Sequence, residues 1–179
     1  MKKMAVTGAL GAGKSTVCQI FADCGAHVID TDKIAHQLIE GACRLEIIQL
    51  LGPEIESGGK IDRKKVAEIV FKNPKQLKAL EEILHPQILK QIENTFETTN
   101  KLIVAEVPLL FELGWQRYFD ASICVTKKDI PKTSQWTSRM AHQFSEEEKA
   151  SKADYLIAND GTVEDLKKQI HNIIAKIGA

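Results

Sequence analysis

The sequence predicts an α/β fold of three layers, in which helices cover both faces of a central parallel sheet. Short β-branched apolar runs alternate along the chain with segments of helical periodicity. Several of these runs are apolar at consecutive positions, as is typical of strands buried on both faces. The 179 residues are 44% hydrophobic and 27% charged, a composition typical of a soluble globular domain.

Five apolar runs are the candidate strands of this sheet. They are predicted over 3–7, 26–30, 102–107, 121–126 and 155–158. A helix is expected over about 13–22, directly after the first strand. Ser145 with Glu148, and Thr162 with Asp165, have the spacing of capping boxes that begin helices. The second of these boxes opens an apolar stripe at helical spacing, so a helix is also expected at the end of the chain.

The block from about 33 to 99 breaks this alternation, because no run in it has the pattern of a strand. Asn73 and Pro74 have the residue types of a helix N-cap and first turn. Pro86 is expected to interrupt or restart the helix that follows. The Gly58-Gly59 pair is expected to form a turn between helices.

We therefore divide the chain into a core and an insertion. The core is predicted over 1–32 and 100–179, and a helical substrate-binding insertion over 33–99. Right-handed crossovers would connect the parallel strands of the core.

Charge and cysteine content exclude several classes of protein. Lysine plus arginine and aspartate plus glutamate each number 24, so no basic coat for nucleic acid is expected. No apolar run approaches the roughly 20 residues that span a bilayer, and the first residues do not have the pattern of a signal peptide. The four cysteines, Cys18, Cys24, Cys43 and Cys124, form no CxxC pair. They are expected to be buried, reduced thiols of a cytoplasmic protein.

A complete phosphate-binding loop follows the first predicted strand. Residues 8–15, GALGAGKS, match GxxxxGK[ST] in a strand–loop–helix context. Its glycines let backbone N–H groups turn toward phosphate oxygens, and the helix N-terminus adds partial positive charge. Lys14 would reach the β- and γ-phosphates and Ser15 would hold Mg²⁺. The loop predicts binding of ATP or GTP and a P-loop NTPase core, without distinguishing a kinase from a switch or a motor.

Two carboxylates end the second predicted strand. Asp30 and Asp32 lie in the run VIDTD, and ligands bind at the carboxyl edge of such sheets. A carboxylate there could deprotonate an acceptor hydroxyl in line with the γ-phosphate. The alternative is that it only caps the next helix. Asp32 is the better candidate for the base, since Asp30 still belongs to the strand. Glu106 also ends a strand, but Val-Pro follows it and we do not assign it to metal.

The order of motifs resembles the dephospho-CoA kinase family over nearly the whole chain. The motifs are TGxxGxGKS at 7–15, VIDTD at 28–32, IDR at 61–63, LHP at 84–86, VPLLFE at 107–112, RMAHQ at 139–143, EEK at 147–149 and ADYLIANDG at 153–161. The resemblance implies transfer of the γ-phosphoryl group of ATP, with Mg²⁺, to the ribose 3′-hydroxyl of dephospho-CoA. This is the last step of coenzyme A synthesis. It also implies a P-loop kinase core, a helical CoA-binding domain and a mobile lid.

The resemblance also implies roles for particular residues. The expected catalytic residues are Asp32 as general base, Lys14 and Arg139. The expected nucleotide-binding residues are Gly8, Gly11, Ala12, Gly13, Lys14, Ser15, Thr16 and Asn159, with Ser15 also binding the metal. The expected acceptor-site residues are Thr7, Asp32, Arg63, His85, Pro108, Leu109 and Glu112.

Four of these residues have structural alternatives. Arg63 could extend along apolar surface from a helix face. His85, before a proline, could serve a helix junction instead of the acceptor. Glu112 could be a solvated loop charge, and Arg139 an ordinary surface arginine.

Two other functions share some of these motifs. Another small P-loop kinase, for nucleoside monophosphates or shikimate, would share the loop and the Mg²⁺ chemistry, but the LHP-containing helical block and the position of Asp32 argue against it. A GTP-binding switch is suggested by TKKD at 126–129, which resembles a guanine-reading motif. No glycine follows an aspartate at the DxxG spacing that a switch needs, so this function is disfavoured.

The interval 127–138 is short for a lid. It contains no arginine, and Pro131 makes one continuous helix unfavourable. Either the lid is truncated or residues are missing between Lys128 and Trp136, and we favour the second explanation. The small-molecule substrate would act on a monomer or a small homo-oligomer, without nucleic acid or membrane.

Overall fold

The computed structural model describes residues 2–130 and 143–178. The chain forms two compact units, Met1–Asp30 with Thr98–Ala179, and Thr31–Glu97. Strands and helices are numbered below in chain order, and each unit is described by itself.

The first unit is built on a five-stranded parallel sheet. Its strands are β1 (Lys3–Gly8), β2 (His27–Asp30), β5 (Ile103–Glu106), β6 (Ala121–Thr126) and β7 (Tyr155–Ala158). Their order across the sheet is β2-β5-β1-β6-β7, and every neighbouring pair is parallel. All five predicted strands are confirmed, with ends within one residue or two of the prediction.

Helices cover this sheet. They are α1 (Lys14–Asp23), α6 (Glu146–Lys152) and α7 (Val163–Ile177), with a short 3₁₀ helix at Trp115–Tyr118. Both predicted capping boxes are present, at Ser145 and at Thr162. The apolar faces of α1 and α7 pack with β1, β6 and β7 around the buried side chains Met4, Phe21, Ile123 and Ile170. The predicted three-layer α/β architecture is therefore confirmed.

Two aspartates fix the beginning of the central strands. Asp120 accepts a hydrogen bond from the Lys3 amide at 2.8 Å and returns its own amide to the Lys3 carbonyl. Asp154 accepts from both the amide and the hydroxyl of Ser122, at 2.8 and 2.7 Å. These bonds join β1 to β6 and β6 to β7 where the strands begin. They therefore fix the register of the three strands, and with it the relative positions of their carboxyl ends.

The second unit is mostly helical. Its elements are α2 (Thr31–Glu40), α3 (Arg44–Leu51), a 3₁₀ turn (Pro53–Ile55), β3 (Glu56–Ser57), β4 (Lys60–Ile61), α4 (Arg63–Val70) and α5 (Pro74–Thr98). The prediction that this block has no strand is wrong. Gly58-Gly59 is the turn of a small antiparallel hairpin, whose two-residue strands are too short to produce a recognisable alternation. The hairpin is held by an Arg44–Glu56 ion pair.

Helix α5 continues through a proline. The predicted N-cap is confirmed, since the Asn73 side chain accepts from the amides of Lys75 and Gln76. The predicted interruption at Pro86 is wrong, because one helix runs from 74 to 98 with Pro86 inside it. Its buried side chains, Leu80, Leu84, Ile88 and Ile92, recur every four residues across the proline. Burial of that continuous stripe offsets the roughly 3 kcal/mol cost of an internal proline.

The cysteine prediction holds for three of four residues. All four thiols are free; Cys18, Cys43 and Cys124 are buried, whereas Cys24 is exposed. Cys24 lies at the end of α1, and its sulfur is 3.6 Å from Nε2 of His171. Within residues 2–130 and 143–178, none of the helices has the length and apolar character needed to cross a membrane.

Candidate active site

The phosphate loop connects β1 to α1 through three glycines with positive φ. They are Gly8, Gly11 and Gly13, with φ of 143°, 83° and 93°, a region that other residues rarely adopt. Space also requires glycine at the two ends of the loop. A Cβ on Gly8 would lie 2.3 Å from the Val125 carbonyl oxygen, and one on Gly13 would lie 2.2 Å from Nδ2 of Asn159. The loop is therefore fitted closely against β6 and the residue after β7.

Lys14 begins α1 and is held against the loop. Its Nζ donates to the carbonyl oxygens of Gly8 at 3.2 Å and Ala9 at 3.0 Å, and the residue is buried. Ala12 is also buried, and its amide donates to the Ala9 carbonyl. The lysine charge is thus fixed beside the backbone that the sequence predicts to bind phosphate. Thr16, in the first turn of α1, is exposed.

Ser15 contacts an acidic residue to which the sequence motifs assign no role. Its hydroxyl donates to Oε1 of Glu106 at 3.3 Å. Glu106 is the last residue of β5, between β1 and β2, and its register partner on β2 is Asp30. Both carboxylates, after desolvation, raise the pKa of the buried Cys18 thiol, which reaches about 12 despite the opposing charge of Lys14. A hydroxyl and carboxylates form an oxygen donor set of the kind that Mg²⁺ prefers.

The described part of the chain contains no group of three or more His, Cys, Asp or Glu side chains arranged to hold a metal by themselves. Mg²⁺ at a phosphate loop is ordinarily shared between a few protein oxygens, waters and the phosphates of the substrate. The Ser15–Glu106 pair would supply the protein oxygens of such a site.

A polar cavity of about 420 Å³ lies beside the loop, lined by Lys127, Lys128, Asp129, Asn159, Asp160 and Gly161. It is formed by the residues that follow β6 and β7. Asn159 Nδ2 donates to the Ala12 carbonyl at 2.8 Å, and Asp160 accepts from the Lys128 amide at 2.8 Å. The predicted nucleotide-site residue Asn159 therefore directly contacts the phosphate loop.

A buried polar cluster lies behind the loop, at the residues that follow β5. The Thr7 hydroxyl donates to the Pro108 carbonyl at 3.1 Å, and Nζ of Lys149 donates to the same oxygen at 2.7 Å. Lys149 also pairs with Oε1 of Glu112 at 3.0 Å, which accepts from the Phe144 amide. The Glu112 side chain is 9% exposed, so its interpretation as a solvated loop charge is wrong. Leu109, between these residues, is half-buried.

Three predicted residues belong to the second unit. Asp32 is exposed in the first turn of α2, which begins directly after β2. Arg63 is the exposed first residue of α4, whose N-cap is Asp62. His85 lies within α5, and burial lowers its pKa; no helix junction exists there for it to serve. Arg139, with the part of the predicted lid from 131 onward, lies outside the described residues.

The comparisons with known proteins agree with this geometry. The family model for dephospho-CoA kinase matches residues 3–165. The chain belongs to the dephospho-CoA kinase family. A dephospho-CoA kinase of Chlamydia abortus is 37% identical over 186 aligned positions, which cover 94% of this chain and 92% of that protein.

Two solved structures from the comparisons resemble this member of the family over nearly its full length. One is a protein from Thermus thermophilus, with a TM-score of 0.86, 29% identity, and coverage of 98% of this chain and 97% of that one. The other is dephospho-CoA kinase from Campylobacter jejuni, with a TM-score of 0.74, 30% identity, and coverage of 98% and 96%. The predicted P-loop kinase fold is thereby confirmed.

The Chlamydia abortus alignment also bears on the length of this kinase. Its 186 aligned positions exceed the 179 residues of the whole chain. The relative therefore carries residues, inside the aligned region, that this chain lacks. A lid shortened between 127 and 138 remains a prediction for where they are missing.

Proposed function

We propose that this kinase transfers the γ-phosphoryl group of ATP to the ribose 3′-hydroxyl of dephospho-CoA, giving coenzyme A. The observation that carries the proposal is the complete phosphate loop, with Lys14 buried against it, in a chain whose family model is dephospho-CoA kinase. The substrate is a small molecule, and the proposed setting is the cytoplasm, where the four free thiols would remain reduced.

The phosphate end of ATP would be bound by the loop. Backbone N–H groups around Gly11, Ala12 and Gly13 and the N-terminus of α1 would bind the phosphates. The Lys14 ammonium, now held by two carbonyl oxygens, would exchange them for phosphate oxygens. There it would stabilise the charge that spreads over the transferring group. The cavity beside Asn159 would bind the adenine base of ATP.

Mg²⁺ would be held by Ser15, with Glu106 beside it. When bound, the ion neutralises charge on the β- and γ-phosphate oxygens. The Ser15 hydroxyl donates a hydrogen bond to Glu106, which would leave the lone pairs of the serine oxygen available to the ion. Thr16, the second hydroxyl of the first helical turn, would contact phosphate.

The acceptor site is proposed from the residues to which the family resemblance assigns it. Asp32 is proposed as the general base that orients and deprotonates the ribose hydroxyl, and its place after β2 follows the rule that ligands bind at the carboxyl edge of the sheet. Arg63 and His85 are proposed to contact dephospho-CoA. Pro108 and Leu109 are proposed to line its site, and Thr7 and Glu112 to support them. Arg139 is proposed to contact the transferring phosphate.

A coupled assay of ADP release tests the proposal. Purified protein is given ATP and Mg²⁺ with dephospho-CoA, with each nucleoside monophosphate, or with shikimate, and coenzyme A is identified by mass spectrometry. We expect turnover with dephospho-CoA alone. Good turnover of a nucleoside monophosphate or shikimate, with none of dephospho-CoA, would replace the assignment by another small P-loop kinase.

A further inference from the structure

Lys149 is a buried cation whose contacts converge on the segment after β5. It lies on α6 and is 1% exposed, although the helix around it, EEEKASK, consists mainly of polar and charged residues. Removing an ammonium group from water costs several kcal/mol unless partners compensate it. Its Nζ has two such partners, the Pro108 carbonyl at 2.7 Å and the Glu112 carboxylate at 3.0 Å.

The Pro108 carbonyl is the point where these contacts meet the phosphate loop. It accepts from Lys149 and also from the hydroxyl of Thr7, and a carbonyl oxygen has two lone pairs to do so. Thr7 directly precedes Gly8, and the Val107 amide donates to the Val6 carbonyl at 2.9 Å. The proposed acceptor segment is thus joined to the end of β1 by two hydrogen bonds, from Thr7 to Pro108 and from Val107 to Val6.

Glu112 holds Lys149 in this position through one of its two carboxylate oxygens. Oε1 accepts from Lys149 and from the Phe144 amide. Oε2 is buried and has no hydrogen-bond partner among residues 2–130 and 143–178. A buried ion pair often contributes no more net stability than apolar side chains of similar size. The main effect of the Lys149–Glu112 pair is therefore geometric, because it directs the hydrogen bond from Lys149 to the Pro108 carbonyl.

We propose that Lys149 is a positioning residue for phosphoryl transfer, which fixes Pro108 and the acceptor segment relative to the phosphate loop. The proposal rests on the function proposed above. A competing role is purely structural, in which Lys149 only neutralises the buried charge of Glu112. The two roles differ in what happens when both charges are removed together.

The test is a double-mutant comparison of Lys149→Met, Glu112→Gln and the variant carrying both. Lys149→Met leaves Glu112 charged and unpaired, so we expect the lowest Tm of the set. Adding Glu112→Gln removes that charge and should raise the Tm back toward that of Glu112→Gln alone. It cannot restore the donor to Pro108. We therefore expect kcat of the double variant to remain about 10–100-fold below that of Glu112→Gln, as for a misplaced reacting group, while its Kd for ATP is unchanged.

Hydrogen–deuterium exchange supplies a readout that needs no substrate. The amides of Val107 and Leu113 are hydrogen-bonded in the folded protein. We expect them to exchange faster in the double variant than in Glu112→Gln. A double variant with the kcat and the exchange rates of Glu112→Gln would overturn the positioning role. If the unmodified enzyme does not phosphorylate dephospho-CoA, the proposed function fails instead, and exchange still decides whether Lys149 orders the segment.

Discussion

Replacing Asp32 and replacing Lys14 should impair the kinase in different ways. Asp32→Asn keeps the shape of the side chain and removes the base, so we expect turnover to fall on the order of 10²–10⁴-fold while ATP still binds. Lys14→Ala removes the charge that is held against the loop and should nearly abolish turnover. Steady-state kinetics and calorimetric titration with ATP separate the two effects.

Either result could contradict these roles. Near wild-type turnover of Asp32→Asn would mean that this carboxylate only serves the first turn of α2, where it lies. Turnover of Lys14→Ala close to that of the unmodified protein would remove Lys14 from the catalytic residues.

For single residues, the sequence predicts a functional role when the residue belongs to a motif that is contiguous along the chain. Gly8, Gly13 and Lys14 were predicted because the whole loop is a contiguous pattern. Lys149 was missed as a functional residue, since its partner Glu112 lies 37 residues away and its own helix has the composition of a solvated surface. The Ser15–Glu106 contact was missed for the same reason, because only the parallel register brings the two together.

Among structural elements, the phosphate loop allows a matched test of space against backbone strain. Gly13 and Gly25 have the same φ of 93°, but a Cβ on Gly13 would meet Asn159 at 2.2 Å, whereas one on Gly25 meets nothing within 4 Å. Alanine at either position should cost about 1–2 kcal/mol of unfolding free energy from the left-handed backbone. Gly13→Ala should in addition displace Asn159 and lose turnover.

The measurements are urea unfolding and steady-state kinetics of both variants. Gly25→Ala, between α1 and β2, is expected to keep its kcat and its KM for ATP. Equal loss of activity in the two variants would show that strain alone, and not the contact with Asn159, disturbs the site.

The elements that the sequence predicted well are those whose burial is regular. The inner strands β1, β5 and β6 are buried along most of their length, so their apolar runs are nearly uninterrupted. The hairpin of β3 and β4 has only one buried residue, Ile61, in its four strand positions. A hairpin with so few buried positions has no apolar alternation by which the sequence could reveal it. The sequence predicts an interruption at Pro86 because proline has a low helix propensity. The helix is continuous because the buried stripe of α5 extends on both sides of the proline.

For the whole molecule, burial of Cys18 should make stability fall in alkali. Burial raises its pKa from 9.0 to about 12. Between these values an unfolded chain releases the thiol proton and the folded chain keeps it, so rising pH favours unfolding. Stability from this thiol is complete below pH 9 and declines by up to about 1.4 kcal/mol per pH unit above it.

The check is the slope of unfolding free energy against pH between 9 and 10.5. Cys18→Ala should make this slope less negative, even though the cavity lowers stability at every pH. Cys24→Ala, at an exposed thiol, is the matched control for replacing a cysteine by alanine. Equal slopes for Cys18→Ala and the unmodified protein would contradict the prediction.

The length of the interval after β6 determines how well a lid can shield the phosphates from water. Lid closure over the phosphates excludes water from phosphoryl transfer, and the interval 127–138 is short for such an element. The aligned region shared with the Chlamydia abortus kinase is longer than this whole chain. The full sequence of 179 residues continues directly from Lys128 to Trp136, so the expectation of missing residues is wrong, and we expect this interval to act as a truncated lid.

A truncated lid has a measurable consequence for the reaction. Water would then reach the γ-phosphate more easily, so weak kinase activity should accompany appreciable ATP hydrolysis without acceptor. Lys127, Lys128 or Lys132 would have to replace the missing lid arginines, and replacing all three by alanine should lower kcat further. Hydrolysis that stays negligible without dephospho-CoA would show that the short interval excludes water by itself.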